Sequence, residues 1–236
     1  MLPLVIVPTY NERENLPIVV AALLRIDNLQ ILVVDDGSPD GTGGVADALA
    51  SAHRGRVSVL HRTGPRGLGL SYIDGMQTAV RTDATHICQM DADLSHNPLD
   101  IPRLLDASAS ADLVIGSRYV TGGRVENWPH RRILMSTFAN LYVRAITRLR
   151  VRDCTSGFRC WRREAVERLP LDRILSNGYA FLVELTWEAA FAGCHIAELP
   201  ITFVDRREGA SKISSTVLVE SVIMPWRLAI RGRRRH

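Results

Sequence analysis

At 236 residues, with 46% hydrophobic and 23% charged positions, the chain is long enough for one large α/β domain and too apolar for extensive disorder. Its net charge of +4 and pI near 9.1 are mildly basic, with much of the excess at Arg227, Arg231, Arg233, Arg234 and Arg235. No interleaved aromatics or helix-turn-helix pattern go with that tail, which argues against nucleic acid and leaves anionic lipid or solubility as its use.

The chain opens with apolar β-formers: Leu4-Val5-Ile6-Val7 predicts a buried strand ending at Pro8. With no basic start and no small-residue cleavage site, residues 1–8 read as a first strand rather than a signal peptide. Asn15 is the expected cap of the first helix, because Pro17 fits only in a first turn. Leu16, Val19, Val20, Leu23 and Leu24 then recur at helical spacing. A second strand, Ile31 to Val34, ends in Asp35-Asp36-Gly37-Ser38. A small-residue helix to about Ala52, a strand from Val57 to Leu60, a glycine loop from Gly64 to Gly69 and a helix to about Arg81 follow. The fourth strand, Thr85 to Met90, runs into Asp91-Ala92-Asp93, and a helix over 97–109 leads to a fifth strand, Leu113 to Gly116. This alternation predicts a doubly wound, mostly parallel sheet, whose ligands bind beyond the carboxyl ends of the strands.

After Tyr119 the rhythm breaks. Thr121 to Arg124 reads as a loop, and Arg131 to Leu149 as a long helix with Leu134, Phe138, Leu141, Ala145 and Leu149 on one stripe. Asp153 to Trp161 reads as a strand with a glycine break, and Phe181 to Ala192 as a helix closed by Gly193. An extended stretch from His195 to Phe203, interrupted at Pro200, follows. Val217 to Ile230 is apolar on more than one face; a core helix is the first reading and an interfacial helix on anionic lipid the second. The longest uncharged runs, 1–11 and 133–143, fall short of the ~20 residues a spanning helix needs. Cys88, Cys154, Cys160 and Cys194 lack zinc-site spacing, so reduced, buried thiols of a cytoplasmic protein are expected. His61, His96 and His130 likewise lack a partner at ligand spacing. We read one domain: a nucleotide-binding half over 1–120, an acceptor half over 121–212 and a basic C-terminal segment over 213–236.

Asp is depleted in strands, so two of them closing the fourth strand point to chemistry. Hard cations such as Mg²⁺ or Mn²⁺ take oxygen ligands and are commonly held by carboxylates together with substrate phosphates. The plainer alternative is that Asp93 caps the next helix while Asp91 is solvated. Four predicted strand ends carry polar groups on one rim: Tyr10 and Glu12, Asp35 and Asp36, Asp91 and Asp93, and Arg118. Carboxylates alone would repel a diphosphate, and a bridging cation removes the conflict. Arg118, Arg132, Arg206 and Lys212 could then hold further phosphate oxygens.

Pro8-Thr9-Tyr10-Asn11-Glu12, Val34 through Thr42, and Asp91-Ala92-Asp93 resemble the inverting family 2 glycosyltransferases of GT-A fold. Gly116 to Tyr119, Glu126-Asn127-Trp128-Pro129, Thr155 to Arg159 and Arg206-x-x-Gly209-x-Ser211-Lys212 narrow the resemblance to dolichol- and polyprenol-phosphate mannose synthases. The similarity runs from residue 3 to about 213. It implies a GT-A-type, Rossmann-like three-layer fold with a mostly parallel central sheet. It further implies transfer of mannose from GDP-mannose to a polyprenyl phosphate with inversion, by a cytoplasmic protein peripheral to a membrane or held there by a separate anchoring protein. On this resemblance Pro8, Tyr10, Glu12, Val34 and Asp36 line the guanosine pocket, Ala92 sits beside the donor, and Asp91 and Asp93 hold the metal. Arg118, Arg132, Arg206 and Lys212 bind the phosphates of donor and acceptor, and Asp93, Arg118, Arg132 and Arg206 are the catalytic set. Two positions depart from the pattern. Ser95 stands where relatives often carry a metal-ligating Gln, so it enters as the third ligand. Leu182 replaces a Gln, which leaves Glu184 beside the acceptor. A hexosyltransferase using another nucleotide sugar, and a non-catalytic nucleotide-binding module, are the competing readings. A processive polysaccharide synthase is disfavoured, since Gln-x-x-Arg-Trp is missing.

Overall fold

A computed structural model describes residues 1–174, 176, 178–205 and 215–235. In it, β1 (Pro3–Thr9), β2 (Gln30–Asp35), β3 (Val57–His61) and β4 (His86–Gln89) alternate with α1 (Asn15–Leu23), α2 (Thr42–Ala52) and α3 (Leu68–Ala79). A 3₁₀ turn and α4 (Ile101–Ala107) lead to β5 (Leu113–Ser117). Then come β6 (Arg124–Glu126), α5 (His130–Thr147), β7 (Arg159–Arg162), α6 (Arg163–Glu167), α7 (Gly178–Phe191), β8 (Ile196–Pro200), β9 (Thr202–Val204) and α8 (Ser215–Arg235).

Among the described residues, seven strands form one sheet in the order β3-β2-β1-β4-β7-β5-β8. Only β7 runs antiparallel. Strand residues alternate between two apolar layers, as a period of two requires. Leu4, Ile6, Leu32 and Val34 pack with Tyr72 and Met76 of α3 and Phe181 and Leu185 of α7. Val5, Val7, Ile31 and Val33 pack with Leu16, Val20 and Leu23 of α1 and Leu104 of α4. The expected three-layer α/β fold is thus present. α3 lies so close to β1 that a Cβ on Gly75 would stand 2.6 Å from Ile6 Cγ2.

Several boundaries differ from the sequence expectation. Asn15 is the first helical residue of α1 rather than its cap, and its amide donates to Glu12 Oε2 at 2.8 Å. The helix expected over 97–109 is split, because Pro102 offers no N–H and fits only in a first turn. A 3₁₀ turn capped by Asn97 covers Pro98–Asp100, and α4 starts afresh. The loop expected at 121–124 runs into β6, which pairs in parallel with β9. The break in the 195–203 stretch falls at buried Ile201, since Pro200 stays in register with Ser117. Only the last residues of the 153–161 stretch are a strand. Residues before Arg159 turn at the rim, where Ser156 Oγ bonds the Gly116 carbonyl.

Within α5 the stripe faces outward, with Leu134 and Phe138 70% and 69% exposed while Asn140 and Val143 are buried; Leu149, past the helix end at Thr147, is buried in the core. Phe138 is therefore not a core residue. α8 buries Met224 and Leu228 and exposes Val222, Ile223, Trp226 and Ile230. Gly193 does close α7, in the left-handed region at φ 75°. All four cysteines are buried and free of disulfides. No helix among the described residues is long and apolar enough to cross a membrane.

Candidate functional site

The carboxyl ends of β1, β2, β4, β5 and β8 share one rim of the sheet. Because β7 is antiparallel, it contributes the turn that precedes it, 153–158, to the same rim. The strand ends predicted to converge do so. Asp91 and Asp93 follow β4 at the centre of this rim. Asp91 Oδ1 accepts a 2.8 Å hydrogen bond from the Tyr72 hydroxyl. Burial, then the Asp91 charge and that bond, push the Tyr72 phenol well above its ordinary pKa, so it stays protonated and donating. Asp93 is held locally: Leu94 adopts a left-handed φ of 63°, which folds Ser95 back so that its N–H and hydroxyl both donate to Asp93 Oδ1. Ser95 is 1% exposed, so this hydroxyl faces Asp93 rather than the open rim. Two carboxylates brought to one strand end suit a hard divalent cation whose remaining ligands are substrate oxygens and water. No group of three or more His, Cys, Asp or Glu with metal-holding geometry occurs among the described residues.

His96 is buried, stacked on Phe158 at 5.0 Å and edge-on to Phe203 at 5.3 Å. Desolvation holds its imidazole below the usual pKa, which suits a packed neutral ring.

At the end of β2 the two aspartates divide. Asp35 accepts from Thr9 and Ser38 and ties the 35–42 turn to β1. Asp36 is gripped by Arg62, which also bonds Asp74 at 2.6 Å, and by the Gly67 N–H at 2.8 Å. The Arg62 side chain is 6% exposed, and no local spacing in the sequence had marked it. Tyr10 is exposed beside this loop, with Arg66 bonded to its hydroxyl and lying 5.0 Å over its ring. Glu12 accepts from Asn15, and its N–H donates to Thr42 Oγ1 at 3.0 Å. Pro8 pairs with Val34 in the β1–β2 register; both are buried beneath the rim, as is Ala92.

On the other half of the rim stand the basic groups. Arg118 makes a two-point pair with Asp153, Nε–Oδ2 2.8 Å and Nη2–Oδ1 2.7 Å, and bonds Thr155. Its guanidinium lies within about 5.5 Å of the Tyr119, Trp128 and Phe203 rings. Arg132 Nη1 reaches both oxygens of Asp205, at 2.8 and 2.9 Å, and the guanidinium lies 4.1 Å over Trp128. Trp128 thus joins the two arginines. Glu184 is buried and accepts from Ser176 N and from Arg231 of α8. Leu182 is buried in the core. Arg206 and Lys212 lie outside the described residues.

Three residues without a sequence signal join the site: Tyr72, Arg62 and Asp153. Each comes from an element remote in the chain from its partner.

The chain as a whole has known counterparts. The profile of glycosyl transferase family 2 matches residues 4–170. A polyprenol monophosphomannose synthase of Mycolicibacterium smegmatis is 48% identical over 232 residues, covering 98% of this chain and 88% of the relative. An undecaprenyl-phosphate mannosyltransferase of Micrococcus luteus is 45% identical over 231 residues, covering 97% of this chain and 95% of the relative. Among solved structures, glucosyl-3-phosphoglycerate synthase of Mycobacterium tuberculosis, crystallised with Mn²⁺, UDP and phosphoglyceric acid, superposes with a TM-score of 0.72 at 18% identity. That match covers 96% of this chain and 78% of the other and shows a shared GT-A fold. The chain belongs to glycosyl transferase family 2, and the relatives it matches along nearly its whole length are polyprenyl-phosphate mannosyltransferases.

Proposed function

We propose that the protein transfers mannose from GDP-mannose to a polyprenyl phosphate with inversion, giving polyprenyl-phosphate β-mannose and GDP. The observation that carries this reading is the central rim pair, Asp91 and Asp93, in a chain 48% identical to a polyprenol monophosphomannose synthase. Asp91 and Asp93 are the residues that would hold Mg²⁺ or Mn²⁺, and Ser95 orients Asp93. When bound, the cation neutralises charge that builds on the departing diphosphate. Pro8, Tyr10, Glu12, Val34, Asp36 and Ala92 form the nucleotide side, with Arg62 and the Gly67 N–H orienting Asp36.

Arg132, Arg206 and Lys212 take phosphate oxygens of donor and acceptor. Arg132 is only partly buried and can exchange Asp205 for a phosphate. Arg118 is buried in its pair with Asp153, which offsets its charge, so in this arrangement it shapes this side of the rim. A phosphate monoester, with a second pKa of about 6, is largely dianionic at neutral pH and needs no general base. The protein's task is therefore to set a phosphate oxygen in line behind the anomeric carbon.

The exposed faces of α5 and α8 serve the lipid. Tyr142 donates to the Val222 carbonyl at 2.9 Å and accepts from Trp226 Nε1 at 3.0 Å, joining the two helices into one apolar surface. Peripheral contact with the cytoplasmic face of a membrane, alone or beside a separate anchoring protein, fits that surface.

The test offers the purified protein GDP-mannose, UDP-glucose and UDP-GlcNAc with a short polyprenyl phosphate and Mg²⁺ or Mn²⁺. Selective transfer from GDP-mannose is expected. Absence of transfer from it, or no preference for it, overturns the reading.

A further inference from the structure

Asp91 and Asp93 look alike in the sequence but are held by different means. Asp93 is braced by its own neighbours through the Leu94–Ser95 turn. Asp91 is braced by elements far away in the chain. Tyr72, in the middle of α3, donates to its Oδ1 at 2.8 Å. The Tyr72 ring is completely buried and stacked on Phe181 of α7, centroids 6.1 Å apart and planes 3° from parallel. That ring has no room to swing. Gly157 lies close to the same carboxylate: a Cβ added there would stand 3.2 Å from Oδ2 and 3.4 Å from Oδ1. The Asp91 N–H points to His96 Nδ1 at 3.4 Å, beneath the pair.

Behind this assembly lies Arg159, 0% exposed. Its Nε donates to the Ser156 carbonyl and its Nη2 to the carbonyls of Cys154 and Leu182, while Nη1 is buried with no hydrogen-bond partner among the described residues. Those carbonyls are neutral acceptors, so the guanidinium keeps its positive charge near Asp91.

From this geometry we infer that Tyr72 is a positioning residue: its hydroxyl, bonded to Oδ1, holds the Asp91 carboxylate in a rotation that presents it to a divalent cation, and the bare Gly157 leaves that rotation room. The inference rests on Asp91 and Asp93 being the metal ligands. The physical reason is that the terminal torsion of an Asp side chain is broad and nearly twofold, so an unclamped carboxylate samples many rotations. Occupying Oδ1 with a rigid donor removes that freedom before the cation arrives. Outer-shell donors of this kind, when removed, typically weaken metal binding 10- to 100-fold. A purely packing role for Tyr72 would leave its hydroxyl without effect on the cation.

Tyr72→Phe separates the two, because the ring and its stacking on Phe181 remain. Mn²⁺ binding to the full-length protein, read from the loss of the free Mn²⁺ electron paramagnetic signal with and without GDP, is the measurement. The expected result is a dissociation constant raised about tenfold or more in Tyr72→Phe, with the metal-free melting temperature little changed. Gly157→Ala, which puts a methyl 3.2 Å from Oδ2, should disturb the same carboxylate, weaken Mn²⁺ in the same direction and test the positioning should Tyr72→Phe not fold. Transfer by Tyr72→Phe should recover as Mn²⁺ is raised. Wild-type Mn²⁺ affinity in Tyr72→Phe, within about twofold, overturns the positioning role alone. No Mn²⁺ uptake by the wild type overturns the metal reading and this inference with it.

Discussion

Arg118 and Asp153 form a two-point ion pair in which the carboxylate is wholly buried and the guanidinium side chain only 6% exposed. Asp153 also accepts the Arg118 backbone N–H at 2.9 Å, and its own N–H donates to Glu198 at 2.9 Å. The pair thus ties β5, the turn before β7 and β8 together at the rim. Asp153→Asn leaves the arginine buried without its counter-charge. The expected loss of stability is about 3–5 kcal/mol, read by urea unfolding. A loss below about 1 kcal/mol would mean that water or another acidic group replaces Asp153.

The same pair sets an acid dependence. Burial alone would raise the Asp153 pKa, but the Arg118 charge and hydrogen bonds outweigh it and hold it below the usual 3.8. A carboxylate depressed in the folded state contributes its full stability above the unfolded pKa and loses it as pH falls through the folded one. Wild-type stability should therefore fall more steeply below about pH 3.8 than that of Asp153→Asn, which has no such proton to take up. Parallel curves would remove Asp153 from the acid transition.

Ser95 and Asp93, two positions apart, should respond to substitution very differently. Asp93→Ala should abolish transfer at every metal concentration. Ser95→Ala removes the hydroxyl that donates to Asp93 Oδ1 and should weaken metal binding by about tenfold while preserving transfer at saturating metal. Titrating Mn²⁺ against initial rate separates the two. Full activity of Asp93→Ala would exclude this pair as the metal site.

Arg231 of α8 bonds Glu184 at 3.0 Å and also Glu188, two buried carboxylates of α7, and lies 5.2 Å from the Trp187 ring. Arg231→Met withdraws the cation from both. Stability should fall by about 3 kcal/mol or more, the range for a broken buried pair, and α8 should become the first site cut in limited proteolysis. Cleavage that begins elsewhere would show that apolar packing alone holds α8.

Phe138 and Trp226 stand 69% and 56% exposed on the joined surface of α5 and α8. Burying a large apolar side chain is worth about 1.5–3 kcal/mol, so Phe138→Asp or Trp226→Asp should weaken sedimentation with anionic vesicles by about tenfold or more. Transfer to a short, water-dispersed acceptor should be preserved. Unchanged vesicle binding would assign the surface to a protein partner.

By itself the sequence determined the layered α/β fold, the apolar runs that become β1, β2 and β5 and the placing of Asp36, Asp91, Asp93 and Arg118 at strand ends. These are local properties: a period of two or of 3.6, a break at Gly or Pro, a polar residue where an apolar run stops. The tertiary structure decided which groups face one another. The antiparallel insertion of β7 between β4 and β5 sets Gly157 against Asp91 and Asp153 against Arg118, and no spacing rule encodes either contact. Tyr72 and Arg62 acquire their roles only once α3 and the segment after β3 close over the rim. The stripe on α5 has the periodicity of a buried face, yet Leu134 and Phe138 stay exposed because no described element covers them. Periodicity establishes that residues share a face; packing alone establishes what that face meets.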